Sequence, residues 1–170
     1  MIPIRHNAEF YVSGNCVLLG DAAHSVHPMA GEGMNLAIQD AESLGDLLSW
    51  IYEQGHWEPE HLKWYEQVRK PRAEHLSKLS HQLATAYSYW QLPFGKARAH
   101  ILKRIEQIQR LHFKQMLNIS GLGMWKDTLT DRLVQTGALS GRFLPEVTRQ
   151  DSYFFDDEEE RPWRYMRGGD

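Results

Sequence analysis

Gly20-Asp21-Ala22-Ala23-His24, continued by Ser25-Val26-His27-Pro28-Met29-Ala30-Gly31-Glu32-Gly33-Met34-Asn35, is a glycine-bearing loop set between an apolar run and a helical pattern. A short apolar run, Cys16-Val17-Leu18-Leu19, leads into it. Four apolar residues bounded by glycines suit a strand covered on both faces, as in a parallel sheet, better than a helix. Behind it, Ala37, Ala41, Leu44, Leu48 and Ile51 recur at spacings of four and three, one face of a helix from about Gly33 to Tyr52. Gly55 stops that helix, and His56 stands near its C-terminal end. The order is therefore strand, glycine-bearing loop, helix start.

Upstream, residues 1 to 20 read as extended, with Ser13-Gly14-Asn15 as a turn signal. Downstream of Pro59 the pattern is helical. Leu62, Tyr65 and Val68 form a stripe up to Pro71, and Leu76, Leu79, Leu83 and Tyr87 continue it. Pro93-Phe94-Gly95 breaks the pattern. Ile101, Ile105, Ile108 and Leu111 form one further helix ending near Gly121-Leu122-Gly123, and a shorter helix spans about Asp127 to Gln135. The acidic run Asp156 to Glu160 reads as a solvated, unstructured tail. This divides the chain into residues 1–55, 56–148 and 149–170.

The 170 residues suffice for one domain with a core, and 42% hydrophobic residues is ordinary for a globular protein. A formal net charge of −3 gives no reason to expect nucleic acid or an anionic membrane as partner. The single cysteine, Cys16, excludes an internal disulfide and, within a strand, is expected to be buried and inert. No apolar run approaches a membrane span, and Met1-Ile2-Pro3-Ile4-Arg5-His6 carries no targeting signal, so a cytoplasmic location is expected.

The chemistry concentrates in the opening stretch. Asp21 stands at the carboxyl end of the strand, where α/β sheets bind ligands, and can accept hydrogen bonds from sugar-type hydroxyls. Gly31 and Gly33 let a flat ligand approach the backbone. The helix start at Gly33-Met34-Asn35 offers free N–H groups and the positive end of the helix dipole to an electron-rich atom. Pro28 stiffens the approach and biases His27 toward extended backbone. A purely structural turn is the competing reading.

These residues resemble the second flavin-binding motif of FAD-dependent monooxygenases of the para-hydroxybenzoate hydroxylase-like superfamily, which includes ubiquinone-biosynthesis hydroxylases. The elements are the apolar Leu18-Leu19, Gly20 to His24, Pro28, Gly31-Glu32-Gly33-Met34-Asn35, and then Asp40-Ala41 and Leu44. Trp64-Tyr65-Glu66-Gln67-Val68-Arg69-Lys70-Pro71-Arg72 is similar to a later helix of that family. The resemblance implies the C-terminal part of a Rossmann-like α/β FAD-binding domain (last strand, loop, long helix), followed by a mainly helical region. It implies FAD contacts from Gly20, Asp21, Ala22, Ala30, Gly31, Gly33, Met34 and Asn35. Asp21 would meet the ribityl chain, Gly31 to Asn35 the pyrimidine edge, and Pro28 the flavin-ring environment where oxygen is activated.

The activity implied is hydroxylation of an aromatic or quinone-like substrate with NAD(P)H as electron donor and O2. The cofactor carries such chemistry and the protein orients it. The Gly-x-Gly-x-x-Gly turn that holds the adenine end in this family is absent from the 170 residues. The chain is thus expected to be a C-terminal fragment that alone binds FAD weakly or not at all, with an N-terminal half-protein or a homo-oligomer as partner. Two other readings stand beside this one: a non-hydroxylating flavoprotein of the same fold, such as a halogenase or prenyl reductase, and a non-catalytic interaction module.

Other constellations read more plainly. His24 and His27 stand three apart without a second pair nearby, so loop fixation is preferred over metal binding. Asp21 and Asp40 could form an acid/base pair, but Asp40 lies within the helix and is expected to be structural. Trp57, Trp64, Trp90 and Trp125 could line a substrate pocket or a quinone-facing surface, but at helical spacing they read as core, or as an interface left exposed.

Overall fold

The computed structural model describes residues 6–28, 31–88, 94–147 and 154–166. The chain divides into two compact units, Met1–His81 with Phe155–Asp170, and Gln82–Phe154. The break between His81 and Gln82 falls within one continuous helix, residues 63–88.

In the first unit, four two-residue strands form two antiparallel ribbons. β1 (His6–Asn7) pairs with β4 (His24–Ser25), and β2 (Val12–Ser13) pairs with β3 (Cys16–Val17). Gly14, at φ 55°, makes the tight reversal between β2 and β3 that a side chain would disfavour. The expected doubly covered strand at Cys16 to Leu19 is corrected here. Cys16 is exposed, and Leu18 and Leu19 each keep 39% of their surface. The turn folds this segment back on Val12, so its pairing is local. The backbone N–H groups of Tyr11 and Val12 donate to the Glu66 carboxylate at 2.7 and 2.9 Å, which satisfies an edge that no described strand covers.

α1 (Gly33–Gln54) has nearly the expected span and ends where Gly55 takes the left-handed conformation, φ 72°, but its buried face runs through Leu36, Asp40, Leu47 and Ile51, while Ala41 and Leu48 of the expected stripe are exposed. α2 (Lys63–Ser88) runs straight through Pro71, where a boundary was expected. Pro71 removes one backbone donor, but it and Gln67 lie on the exposed face, so water can take the freed carbonyl. Tyr11, Leu47, Ile51, Tyr65, Val68 and Trp163 form the core between these elements. Burial pushes the phenols of Tyr11 and Tyr65 well above their ordinary range, helped by the nearby Asp40 charge.

Trp163 comes from the segment expected to be an unstructured tail, and that expectation is overturned for residues 154–166. The short helix α6 (Asp157–Glu160) is capped reciprocally by Asp156 and Glu159. Arg72, buried in the first unit, pairs with Glu160 at 3.0 Å and stacks 3.7 Å from the Phe155 ring. The Trp163 indole donates to Asp46 at 2.9 Å. The acidic run is thus partly spent on a buried cation, and burying Trp163 supplies roughly 2–3 kcal/mol of apolar driving force.

In the second unit, the stripe from Ile101 to Leu111 divides into α3 (Phe94–Gln107) and α4 (Gln109–Ser120), correcting the expected single helix. Ile108 is extended between them and packs on Gly141, where a Cβ would lie 3.1 Å from Ile108 Cδ1. Gly121 closes α4 in the left-handed conformation. α5 (Leu129–Thr136) starts on a reciprocal Thr128–Asp131 cap. Trp125 is buried, Trp57 is 67% exposed, and Trp90 and Pro93 lie outside the described residues.

The second unit holds a buried ion pair. Lys114 Nζ lies 2.5 Å from Asp131 Oδ2, both side chains are almost wholly buried, and Lys114 also donates to the Lys126 carbonyl at 3.0 Å. Burial would raise the Asp131 carboxyl, but the hydrogen bonds from Lys114 and Thr128 outweigh it and hold the group below the usual carboxylate range. Removing one partner of such a pair strands a buried charge, at about 3–5 kcal/mol. Asp131→Ala should therefore lose about that much stability in urea unfolding followed by tryptophan fluorescence. A loss below about 1 kcal/mol would show that the pair behaves as a surface contact.

Candidate functional site

Gly20 begins a single 3-10 turn, Gly20–Ala22, whose Ala23 N–H returns to the Gly20 carbonyl at 2.9 Å. Gly20 has φ 55°, and a Cβ there would come within 3.1 Å of the Ala37 Cβ. Only glycine allows both the left-handed backbone and this close approach to α1. The turn presents Asp21 outward and sends Ala23 and His24 into the core, where both are buried.

The turn is held from below by Asp40. This carboxylate is fully buried on α1. His24 Nε2 lies 2.5 Å from Asp40 Oδ2, Arg69 Nε donates to Oδ1 at 2.7 Å, and the Gly20 N–H donates at 3.3 Å. Arg69 also reaches Gln39 Oε1 at 3.2 Å. Burial by itself would raise the Asp40 carboxyl, but the His24 hydrogen bond and the Arg69 guanidinium outweigh it and hold it below the usual range. Asp40 is therefore a structural anion that joins the loop, α1 and α2.

Above this layer lies a cavity of about 440 Å³ between the loop and the first turn of α1. Asp21, Pro28, Gly31, Gly33 and Met34, five of the site residues expected from sequence, line it together. Gly20 sits behind the lining against Ala37, and Ala22 is exposed on the turn without lining the cavity. Asn35 turns its amide to Glu32 Oε2 at 3.1 Å instead of into the cavity, and Ala30 lies outside the described residues. No side chain caps the N-terminus of α1, and its first turn carries no acidic residue. The N-cap residue itself is Glu32, a buried carboxylate that accepts from the Asn35 amide.

Ser25, Val26 and Ala37 also line the cavity and were not singled out from sequence. Ala37 was legible, because it lies one turn beyond Gly33 on the helix. The His24–Asp40–Arg69 layer was missed as a unit. Its signal was a carboxylate among the apolar positions of α1 and an arginine beside the Tyr65–Val68 stripe.

Residues 4–80 match a protein family described as FAD binding domain. The chain is 33% identical over 146 residues to the FAD-dependent monooxygenase hkm7 of Aspergillus hancockii, covering 85% of this chain and 26% of that protein. It is 51% identical over 54 residues to the mitochondrial ubiquinone biosynthesis monooxygenase COQ6 of Schizosaccharomyces pombe, covering 31% of this chain and 11% of that protein. It is 40% identical over 79 residues to the pentachlorophenol 4-monooxygenase of Sphingobium chlorophenolicum, covering 46% of this chain and 14% of that protein. No solved structure matches the chain. The chain is thus similar to FAD-dependent monooxygenases over its FAD binding domain match, and it spans less than a third of the length of these relatives. Among the described residues, no helix is long and apolar enough to cross a membrane.

A carboxyl held below its ordinary range contributes stability that is full above the unfolded value, about 3.9, and is lost as pH falls through the folded value. Stability of the first unit should thus be level above about pH 5 and fall steeply below about pH 4. Asp40→Asn should lower stability at neutral pH and flatten that acid limb, measured by urea unfolding at a series of pH values. An acid limb unchanged in Asp40→Asn would show that Asp40 does not carry it.

Proposed function

We propose that the cavity between the Asp21 loop and α1 holds the ribityl chain and the pyrimidine edge of FAD. The chain then forms part of a monooxygenase that hydroxylates an aromatic or quinone-like substrate with NAD(P)H and O2. The observation that carries the reading is the gathering of Asp21, Pro28, Gly31, Gly33 and Met34 around one cavity at an uncapped helix N-terminus, within the segment matched to the FAD binding domain.

The residues present fit such a group. Asp21 is exposed at the cavity and can accept hydrogen bonds from ribityl hydroxyls. Gly31 has φ 69° and no atom near its missing Cβ, so a planar ring can lie against the backbone there. The free N–H groups at Gly33 and Met34 point along the α1 dipole toward an electron-rich ring edge and favour negative charge on it. Pro28 supplies a rigid wall without an N–H. When bound and reduced, the flavin supplies the electrons for oxygen activation. The names of the relatives, among them a ubiquinone biosynthesis and a pentachlorophenol monooxygenase, support an aromatic or quinone-like substrate. The absent adenine-binding glycine turn supports weak binding by this chain alone.

Titration of the isotope-labelled chain with FAD and with riboflavin, followed by amide NMR, tests the reading. Both should shift the amides of Gly31, Gly33 and Met34 with similar, weak affinity, because the contacts lie on the ring and ribityl half. Asp21→Ala should weaken both by about tenfold or more, the worth of a charge-assisted hydrogen bond. Tight stoichiometric FAD binding, shifts elsewhere, or an indifferent Asp21→Ala would contradict it.

A further inference from the structure

His56, Glu58 and His61 gather in the connection between α1 and α2. Gly55 takes φ 72° and both its N–H and that of His56 return to the Ile51 carbonyl, His56 at 3.1 Å, which reverses the chain. The reversal lays His56 against Trp50, ring centroids 5.1 Å apart and stacked. Glu58 precedes a 3-10 turn, Pro59–Leu62, which carries His61 back to the same place, its ring centroid 5.0 Å from that of His56. One ligand atom from each of the three residues lies within 4.8 Å of the others.

We propose that His56, Glu58 and His61 form a site for a divalent transition-metal ion of the zinc type, with water in the fourth position. Metal–nitrogen bonds of 2.0–2.1 Å in a tetrahedron place neighbouring ligand atoms about 3.3 Å apart. Glu58 Oε2 and His61 Nδ1 are already 3.4 Å apart. His61 Nδ1 is buried and makes no hydrogen bond, because the Glu58 contact is poorly directed for one. A metal ion satisfies that nitrogen where the carboxylate alone does not. Glu58 is 64% exposed and free to swing by the remaining distance, whereas Trp50 and Trp64 hold His61 edge-on. The His56–His61 separation of five also matches the His spacing of zinc sites. An exposed Glu–His pair by itself contributes little. The ion would pin the α1–α2 connection, and the site lies apart from the residues lining the flavin cavity.

The test is Zn2+ calorimetry on the full chain, without an affinity tag and stripped with chelator, alongside Co2+ titration read by its visible tetrahedral bands. One ion should bind per chain and raise the melting temperature. Glu58→Gln and His56→Ala should each lower affinity by at least about tenfold, since even outer-sphere losses cost that much. His112→Ala, an exposed histidine of the other unit, should change nothing. Circular dichroism identifies any variant that fails to fold, and Glu58→Gln, being exposed, keeps the test decisive. The proposal is overturned if no stoichiometric ion binds, if Co2+ shows only octahedral bands, or if folded Glu58→Gln binds as tightly as the parent.

Discussion

A carboxylate with no exposed surface must be neutralised and hydrogen-bonded where it lies, and at Asp40 the partners come from three separate segments. Arg69 reaches it from α2, His24 from β4, and the Gly20 N–H from the 3-10 turn. Losing any partner leaves charge or a polar group stranded in the core, which costs more than the pair itself contributes. The loop is therefore positioned on α1 by an electrostatic requirement and not by apolar contact alone. The cavity inherits that placement. Asp21 follows Gly20, Ser25 follows His24, and Gly33 begins the helix that carries Asp40 two turns later.

The same device recurs elsewhere. Lys114 and Asp131 meet between α4 and α5, with Thr128 serving both as helix cap and as second donor to Asp131. Arg72 draws Glu160 and Phe155 onto the first unit, and Asp46 takes the Trp163 indole and the Arg164 guanidinium. Within each unit, charged residues set which segments meet, and tyrosines, leucines and tryptophans then fill the space between them. The apolar residues left exposed, Leu18, Leu19, Met34 and Ile38 among them, lie beside or on the elements that frame the cavity.

Local spacing was readable from the sequence, and long-range pairing was not. The span of α1 followed from its apolar spacing and Gly55, and five cavity residues followed from Gly20 to Asn35, because each of those signals acts within a turn or two. The antiparallel ribbons were misread because an apolar tetrapeptide looks the same whether its partner is a distant strand or its own hairpin. Pro71 looked like a boundary because its exposed position in α2 depends on tertiary packing. Ile108 matched the helical spacing, yet its contact with Gly141 is thirty-three positions away. The acidic run hid Glu160's partner, Arg72, eighty-eight positions earlier, although a tryptophan in a solvated tail was a clue that the segment returns to a core. His56, Glu58 and His61 are close in sequence, but only the left-handed turn at Gly55 brings the rings together.

Amide hydrogen exchange compared between the parent chain and Asp40→Ala shows whether Asp40 joins the three segments, since exchange reports local opening segment by segment. If Asp40 ties three segments together, exchange accelerates in the Gly20–Ser25 turn and around Arg69 in α2 as well as in α1 near residue 40. If the acceleration is confined to α1 around the substituted position, the loop is held by something other than Asp40, and the account of how the cavity is built is wrong.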